Sequence, residues 1–125
     1  MRVLVADDHE IMRRGVRSVL ESRRDFEVCE AQDGEEAVEK TKQLHPDLVI
    51  LDISMPRLDG FAAARQIRQV SPRTAILIFS VNRTAAFTEI AQKIGASGYV
   101  MKGENIETLL KAVDAALHNQ TYFPS

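Results

Sequence analysis

A single cysteine, Cys29, leaves the chain unable to close an internal disulfide, which fits a reducing cytoplasmic setting. No apolar run approaches the roughly 20 residues needed to span a bilayer. The opening Met1-Arg2-Val3-Leu4-Val5 is too short for a signal peptide and turns acidic at once. No membrane partner is therefore expected. Neither sign of charge is in excess: the net charge is −2 and the pI about 5.9, so no electrostatic footprint for nucleic acid is visible. Repeats, low-complexity tracts and internal linkers are missing as well. What remains is 125 residues, 27% charged and 45% hydrophobic, the make-up of one compact domain with a sizeable core.

Short β-branched runs alternate with longer amphipathic stretches, the pattern of an α/β fold with a parallel sheet. Residues 2–6 read as a buried strand ending at Asp7. Ile11, Met12, Gly15, Val16, Val19 and Leu20 then keep helical spacing, with Arg13, Arg14, Arg17, Arg23 and Arg24 expected on a solvated face. Residues 26–31 read as a second strand. Asp33 with Glu36 predicts a capping box for a helix carrying Ala37, Val38, Thr41 and Leu44, stopped by His45-Pro46-Asp47. Leu48-Val49-Ile50-Leu51 is the purest apolar run, as a central strand covered on both faces would be, and it ends at Asp52. Asp59-Gly60 starts a helix with Phe61, Ala64 and Ile67 inward and Arg65 and Arg68 outward, closed by Ser71-Pro72. Residues 75–79 form the fourth predicted strand, ending at Ser80. Phe87, Ile90, Ala91 and Ile94 mark a helix with Gly95 at its C-cap; Thr84, Thr88 and Gly95 make it the softer element. Residues 98–101 form a fifth strand ending at Lys102, and Ile106, Leu109, Leu110, Val113 and Leu117 stripe the last helix. The domain is expected over residues 1–118, with 119–125 as a tail leaving it or the start of a linker.

Ligands of open α/β sheets bind beyond the carboxyl ends of the strands. Those ends carry Asp7, Asp8, Asp52, Ser80 and Lys102. Three carboxylates brought together repel one another, and pKa shifts alone neutralise them only at high cost. A hard divalent cation relieves this, and an all-oxygen site selects Mg²⁺, Mn²⁺ or Ca²⁺. Asp8 and Asp52 read as direct ligands and Asp7 as a direct or water-mediated one. A backbone carbonyl near Ser54 completes the protein's share. A carboxylate beside such a metal can attack a phosphoryl group and form an acyl phosphate. Lys102 offers a point charge to phosphoryl oxygens and Ser80 a hydrogen bond.

Asp7-Asp8, the stretch Leu51 to Gly60, Ser80 and Lys102 together resemble the signature of response-regulator receiver domains, and the resemblance covers essentially the whole chain. It implies a flavodoxin-like, doubly wound, five-stranded parallel sheet of order 2-1-3-4-5 with helices on both faces. It implies Asp52 as phosphoacceptor, Asp7, Asp8, Asp52 and Ser54 as the Mg²⁺ (or Mn²⁺) set, Lys102 as the pairing lysine, and Ser80 and Tyr99 as switch residues. The implied donor is a phosphohistidine on a sensor histidine kinase. The implied response is a change in the surface of the fourth helix, fifth strand and fifth helix, with a phosphorylation-dependent homodimer as one outcome. Asp7-Asp8-His9-Glu10 with Arg14-Gly15 is similar to receivers joined to LuxR-type helix-turn-helix domains, so DNA would be met only through an output domain outside this chain. One departure is plain: Gly103 follows Lys102 where many receivers have a cis proline. A cis bond before a non-proline costs about 2.5–4 kcal/mol, so the usual loop geometry is not expected here.

Other readings compete. A haloacid-dehalogenase-type phosphatase also uses a strand-end aspartate and Mg²⁺, but needs a second Asp where Ser54 stands. A flavodoxin or dinucleotide site needs a glycine- or hydroxyl-rich loop where Ala6-Asp7-Asp8-His9-Glu10 stands, and that loop repels phosphate unless a cation intervenes. A pseudo-receiver that binds partners without phosphorylation is opposed by the complete set of site residues. No turnover of an external substrate is expected, only assistance to the domain's own phosphorylation and dephosphorylation. Tyr99 reads equally as a packed aromatic with a satisfied hydroxyl. His9 reads as a helix-start histidine, because Mg²⁺ prefers oxygen. His45 and His118 have no visible ligand partner, and Cys29 reads as a small core residue.

Overall fold

The computed structural model describes residues 1–23 and 25–123. Arg24 of the predicted solvated face, and Pro124 and Ser125 of the predicted tail, lie outside the described residues. Ten elements alternate: β1 (Arg2–Ala6), α1 (Glu10–Arg23), β2 (Glu27–Ala31), α2 (Gly34–Leu44), β3 (Leu48–Leu51), α3 (Gly60–Val70), β4 (Ala75–Ser80), α4 (Ala85–Ile94), β5 (Gly98–Met101) and α5 (Ile106–Leu117). The strands form one parallel sheet of order β2-β1-β3-β4-β5, as expected. No helix among the described residues is long and apolar enough to cross a membrane.

Strand side chains alternate between faces, so each strand feeds two layers. Val3, Val5, Leu48, Ile50, Leu77, Phe79 and Val100 pack with Val16 and Leu20 of α1 and Leu109, Ala112 and Val113 of α5. Leu4, Ala6, Val49, Leu51, Ile76, Ile78 and Tyr99 pack with Val38 of α2, Phe61, Ala64 and Ile67 of α3, and Ala91 of α4. Burying one such Leu or Ile stabilises by about 1.5–3 kcal/mol, which holds the strand ends in place. Helix starts are fixed by side-chain caps: Asp33, Asp59, Thr84 and Asn105 each accept the backbone N–H three residues on. Glu36 completes the first of these by accepting from the Gln32 N–H, one residue earlier than a capping box requires.

Three expectations need correction. The inward line of α1 runs through Arg13, Val16 and Leu20, while Ile11 is 90% exposed and Gly15 is exposed. Hydrophobic spacing misplaced the line because a partnered arginine occupies an inward position. Arg68 is half-buried rather than outward, its guanidinium donating to the carbonyls of Pro72 (2.9 Å) and Thr74 past the end of α3. The third concerns residues 119–123, which do not leave the sheet. Asn119 takes a left-handed conformation (φ 58°) and the chain turns back along β5. The Tyr122 N–H donates to the Ser97 carbonyl (2.7 Å) and the Tyr99 N–H to the Tyr122 carbonyl (3.1 Å). Edge strands have unpaired backbone groups to offer, and this segment takes them. Tyr122 then packs on the α1/α5 layer and Phe123 on the other.

Candidate functional site

Four strand ends converge on one crevice. β1 delivers Asp7, β3 delivers Asp52, β4 ends at Ser80 and β5 hands over to Lys102. Two backbone bonds continue the sheet into the site: Asp7 N–H to the Ala31 carbonyl (3.1 Å) and Asp52 N–H to the Ala6 carbonyl (3.0 Å). Asp7 and Asp52 are each 3% exposed. Gly60, at the start of α3, lets that helix come up against the Asp52 loop: an added Cβ would lie 2.1 Å from the Asp52 carbonyl oxygen.

Lys102 bridges the two buried carboxylates. Its Nζ lies 2.6 Å from Asp7 Oδ2 and 3.2 Å from Asp52 Oδ2, with the side chain 5% exposed. The loop achieves this without a cis peptide, none of which occurs among the described residues. Instead the Lys102 N–H donates to the Ser80 carbonyl (2.8 Å) and the Glu104 N–H to the Met101 carbonyl (3.1 Å), a turn that aims the lysine back over the sheet. Gly103 faces open space, so its lack of a side chain is not what shapes the turn.

Burial raises the Asp52 carboxyl above its ordinary range; the Lys102 charge opposes this and the Asp7 charge adds to it. The Ser54 N–H lies 3.4 Å from Asp52 Oδ1, while the rest of Ser54 is exposed. Ser80 is buried. Tyr99 is fully buried, points inward, and donates its hydroxyl to the Asn82 carbonyl at 2.5 Å. Burial raises its phenol, an effect that the adjacent Ser80 hydroxyl offsets only in part. Tyr99 is thus a packed aromatic with a satisfied hydroxyl, and it lies beside Ser80.

His9 was set aside in the sequence and belongs to the cluster. Its Nδ1 lies 3.1 Å from Asp7 Oδ1, 3.2 Å from Asp8 Oδ1 and 4.0 Å from Asp52 Oδ2, and its N–H donates to Asp7 Oδ1 at 2.9 Å. Ligand atoms of Asp7, Asp8, His9 and Asp52 all fall within 4.8 Å of one another, an acidic group able to hold a metal ion. The only available signal was position, directly after the acidic pair. His45 and His118 stay outside, bonded to Ser71 Oγ (3.1 Å) and to the Asp114 carbonyl (2.7 Å). Cys29 is a half-buried strand residue at the margin of the core. Arg13 was also missed; it holds the Asp7 carbonyl at 2.8 Å.

A parallel 2-1-3-4-5 sheet with buried aspartates and a lysine gathered at its carboxyl edge defines a receiver-type fold. The chain belongs to the response regulator receiver domain family, whose sequence model matches residues 3–114. It is 32% identical over 123 residues to the transcriptional regulatory protein DegU of Brevibacillus brevis, covering 98% of this chain and 52% of that protein. It is 41% identical over 115 residues to a protein-glutamate methylesterase/protein-glutamine glutaminase of Methanosarcina acetivorans, covering 90% of this chain and 33% of that protein. Among solved structures, a LuxR-family two-component response regulator from Aurantimonas sp. SI85-9A1 superposes with a TM-score of 0.92 at 37% identity, covering 97% of this chain and 87% of that one. The chain thus spans about half the length of the transcriptional regulators it matches. It is a receiver domain of the two-component response-regulator type.

Proposed function

We propose that Asp52 is the phosphoryl acceptor of this receiver and that Asp7, Asp8, Asp52 and a backbone group at Ser54 hold Mg²⁺ or Mn²⁺ beside it. The observation that carries this is the placement of the Asp52 carboxylate at the end of β3. It lies 3.2 Å from the Lys102 ammonium and within the same donor cluster as Asp7 and Asp8. Three carboxylates against one ammonium leave an excess of negative charge, which suits a hard divalent cation. Such an ion, when bound, neutralises charge on transferring phosphoryl oxygens. An Asp52 oxygen attacks phosphorus and the P–N bond of a kinase phosphohistidine breaks. The electron pair leaves with the imidazole nitrogen, which takes up a proton. Lys102 and the Ser80 hydroxyl then bind the new phosphoryl oxygens.

Drawing Ser80 toward the phosphoryl group changes what Tyr99 packs against. That biases the α4–β5–α5 surface between two arrangements, which a partner or a second copy can read. The phosphoryl group shifts this equilibrium only as far as it binds one arrangement better. The transcriptional relatives support a DNA-binding output domain beyond these residues, a sensor histidine kinase as partner and a cytoplasmic location. The methylesterase relative carries its chemistry in a chain of which this match is a third, so enzymatic output is the second reading for any attached domain. Within this chain, Ser54 occupies the position where a phosphatase of the dehalogenase type needs an acid/base aspartate. The test is incubation with acetyl phosphate and Mg²⁺, read by intact mass. One phosphoryl group gained, and lost in Asp52→Asn, is the expected result. Equal labelling of that variant would move the acceptor elsewhere, and no labelling of the unaltered chain would favour the pseudo-receiver.

A further inference from the structure

Behind the acidic pair lies a charge cluster that phosphoryl transfer does not use. Arg13, in the first turn of α1, is 7% exposed. Its Nη1 donates to the Asp7 backbone carbonyl at 2.8 Å and its Nε to Glu30 Oε1 at 2.7 Å. Arg17 donates from Nη1 to Glu30 Oε2 at 2.8 Å and reaches Glu21 at 3.4 Å. Glu30 is the residue before Ala31, whose carbonyl accepts the Asp7 N–H. Both backbone polar groups of Asp7 are therefore tied to the end of β2, one directly and one through Arg13 and Glu30.

We propose that Arg13, oriented by Glu30, is a positioning residue that presets the Asp7-Asp8 turn for a divalent cation. The proposal rests on the reading of Asp7, Asp8 and Asp52 as the cation site. Fixing the Asp7 carbonyl fixes the peptide between Asp7 and Asp8, and with it the directions in which both carboxylates leave the chain. A guanidinium can do this while bonded to Glu30, because its planar fork directs two donors at once; an ammonium has no such fork. Charge decides the rest. An unpaired arginine behind three carboxylates would weaken their hold on a cation. Here Arg13 and Arg17 are matched by Glu30 and Glu21, so the carbonyl is held with little opposing field. A core ion pair whose only role is stability needs no bond to the carbonyl of a ligand residue.

The experiment uses the metal-stripped chain with three readouts: Mg²⁺ binding by calorimetry, acetyl phosphate labelling rate against Mg²⁺ concentration, and melting in EDTA. Arg13→Met keeps the apolar stem and removes the donors. Half-saturating Mg²⁺ is expected to rise about tenfold, the usual scale for losing an outer-shell partner of a ligand. The labelling rate at saturating Mg²⁺ is expected to stay at the unaltered value. Arg13→Lys should follow Arg13→Met, while Arg17→Met, which leaves the Asp7 carbonyl bond in place and only removes positive charge, should not raise half-saturating Mg²⁺. Glu30→Gln keeps an acceptor for Arg13 but leaves its charge unmatched, and is expected to weaken Mg²⁺ binding as well; with Arg13→Lys it keeps the test open if Arg13→Met does not fold. Lower melting with unmoved half-saturation in these variants would make the cluster a stability device only and overturn the proposal. An unaltered chain that binds no Mg²⁺ would instead overturn the cation-site reading on which it rests.

Discussion

Asp52 sits among charges that pull its ionisation in opposite directions. Burial raises its carboxyl, Lys102 lowers it and Asp7 raises it further, and the net direction is upward. The folded state therefore holds the Asp52 proton more tightly than the unfolded chain does. Without divalent cation this group adds stability as pH falls through its folded pKa toward the unfolded value, and its ionisation costs stability above that window. Asp52→Asn removes the cost. In EDTA at neutral pH it is expected to unfold at higher denaturant, with a gain on the order of 1 kcal/mol; an unchanged or lower midpoint would show that Lys102 already offsets the burial. Lys102→Met works the other way. It leaves two buried carboxylates without their ammonium, at an expected loss of about 3 kcal/mol in EDTA, while Mg²⁺ binds more tightly because a competing positive charge is gone. Denaturation with and without Mg²⁺ checks both signs. The gathering of Asp7, Asp8, Asp52 and Lys102 was legible because each stands at, or directly after, the polar end of an apolar run. His9 and Arg13 were not. Residue type argued against the first, and the second depends on Glu30, 17 positions away in sequence and adjacent only once β2 lies beside β1.

At the scale of elements, helix α1 and strand β2 are joined by charge as well as by packing. Burial alone would raise Glu30, but hydrogen bonds from Arg17 and Arg13 outweigh it and hold its carboxyl below the ordinary range. A depressed folded pKa contributes stability that is present above the unfolded value, near 4.5, and lost as pH falls through the folded one. Glu30→Gln should flatten that acid limb of the stability curve, and Glu30→Ala should cost about 2 kcal/mol at neutral pH by leaving Arg13 with an unmatched buried charge. Urea titrations between mildly acid and neutral pH measure both. Helix α4 is held differently: Ala91 is its only fully buried residue, with Phe87, Ile90 and Ile94 half-covered. Its Thr84 cap is therefore a larger share of its stability. Thr84→Ala is expected to cost about 1 kcal/mol and to speed amide exchange in α4 before other helices; uniform acceleration would show that α4 does not open alone. Element order and the helix ends at Asp33, Asp59 and Gly95 could be read from the sequence, since apolar period and cap residues are local signals; the Thr84 and Asn105 caps were not read. The true inward face of α1 could not, because periodicity treats every arginine as solvated.

For the molecule as a whole, the decisive feature is how residues 119–123 dock on the sheet edge. Within the stretch read as a tail or the start of a linker, residues 119–123 gave no local sign of docking, since nothing local pairs Tyr122 with a strand some twenty residues earlier. They lie along β5, with Tyr122 on one layer and Phe123 on the other, and they share a backbone bond with Tyr99. The β5 edge of the sheet is thereby covered by this segment. The two backbone bonds tie residues 119–123 to β5, so a shift of β5 is expected to disturb that segment. Gly98 is the lock, because an added Cβ there would lie 2.5 Å from the Tyr122 carbonyl oxygen and 3.0 Å from Leu77 Cδ1. Gly98→Ala should release residues 119–123 while leaving the sheet intact. The expected loss is about 1–2 kcal/mol, from two backbone hydrogen bonds and part of the aromatic burial. Limited proteolysis should then cut near Tyr122 and Phe123, and the Tyr99 amide should exchange faster. If cleavage and exchange match those of the unaltered chain, the segment tolerates the added methyl and stays docked on β5. If the Tyr99 amide alone is exposed, the edge bond breaks but the aromatic pair keeps the segment docked.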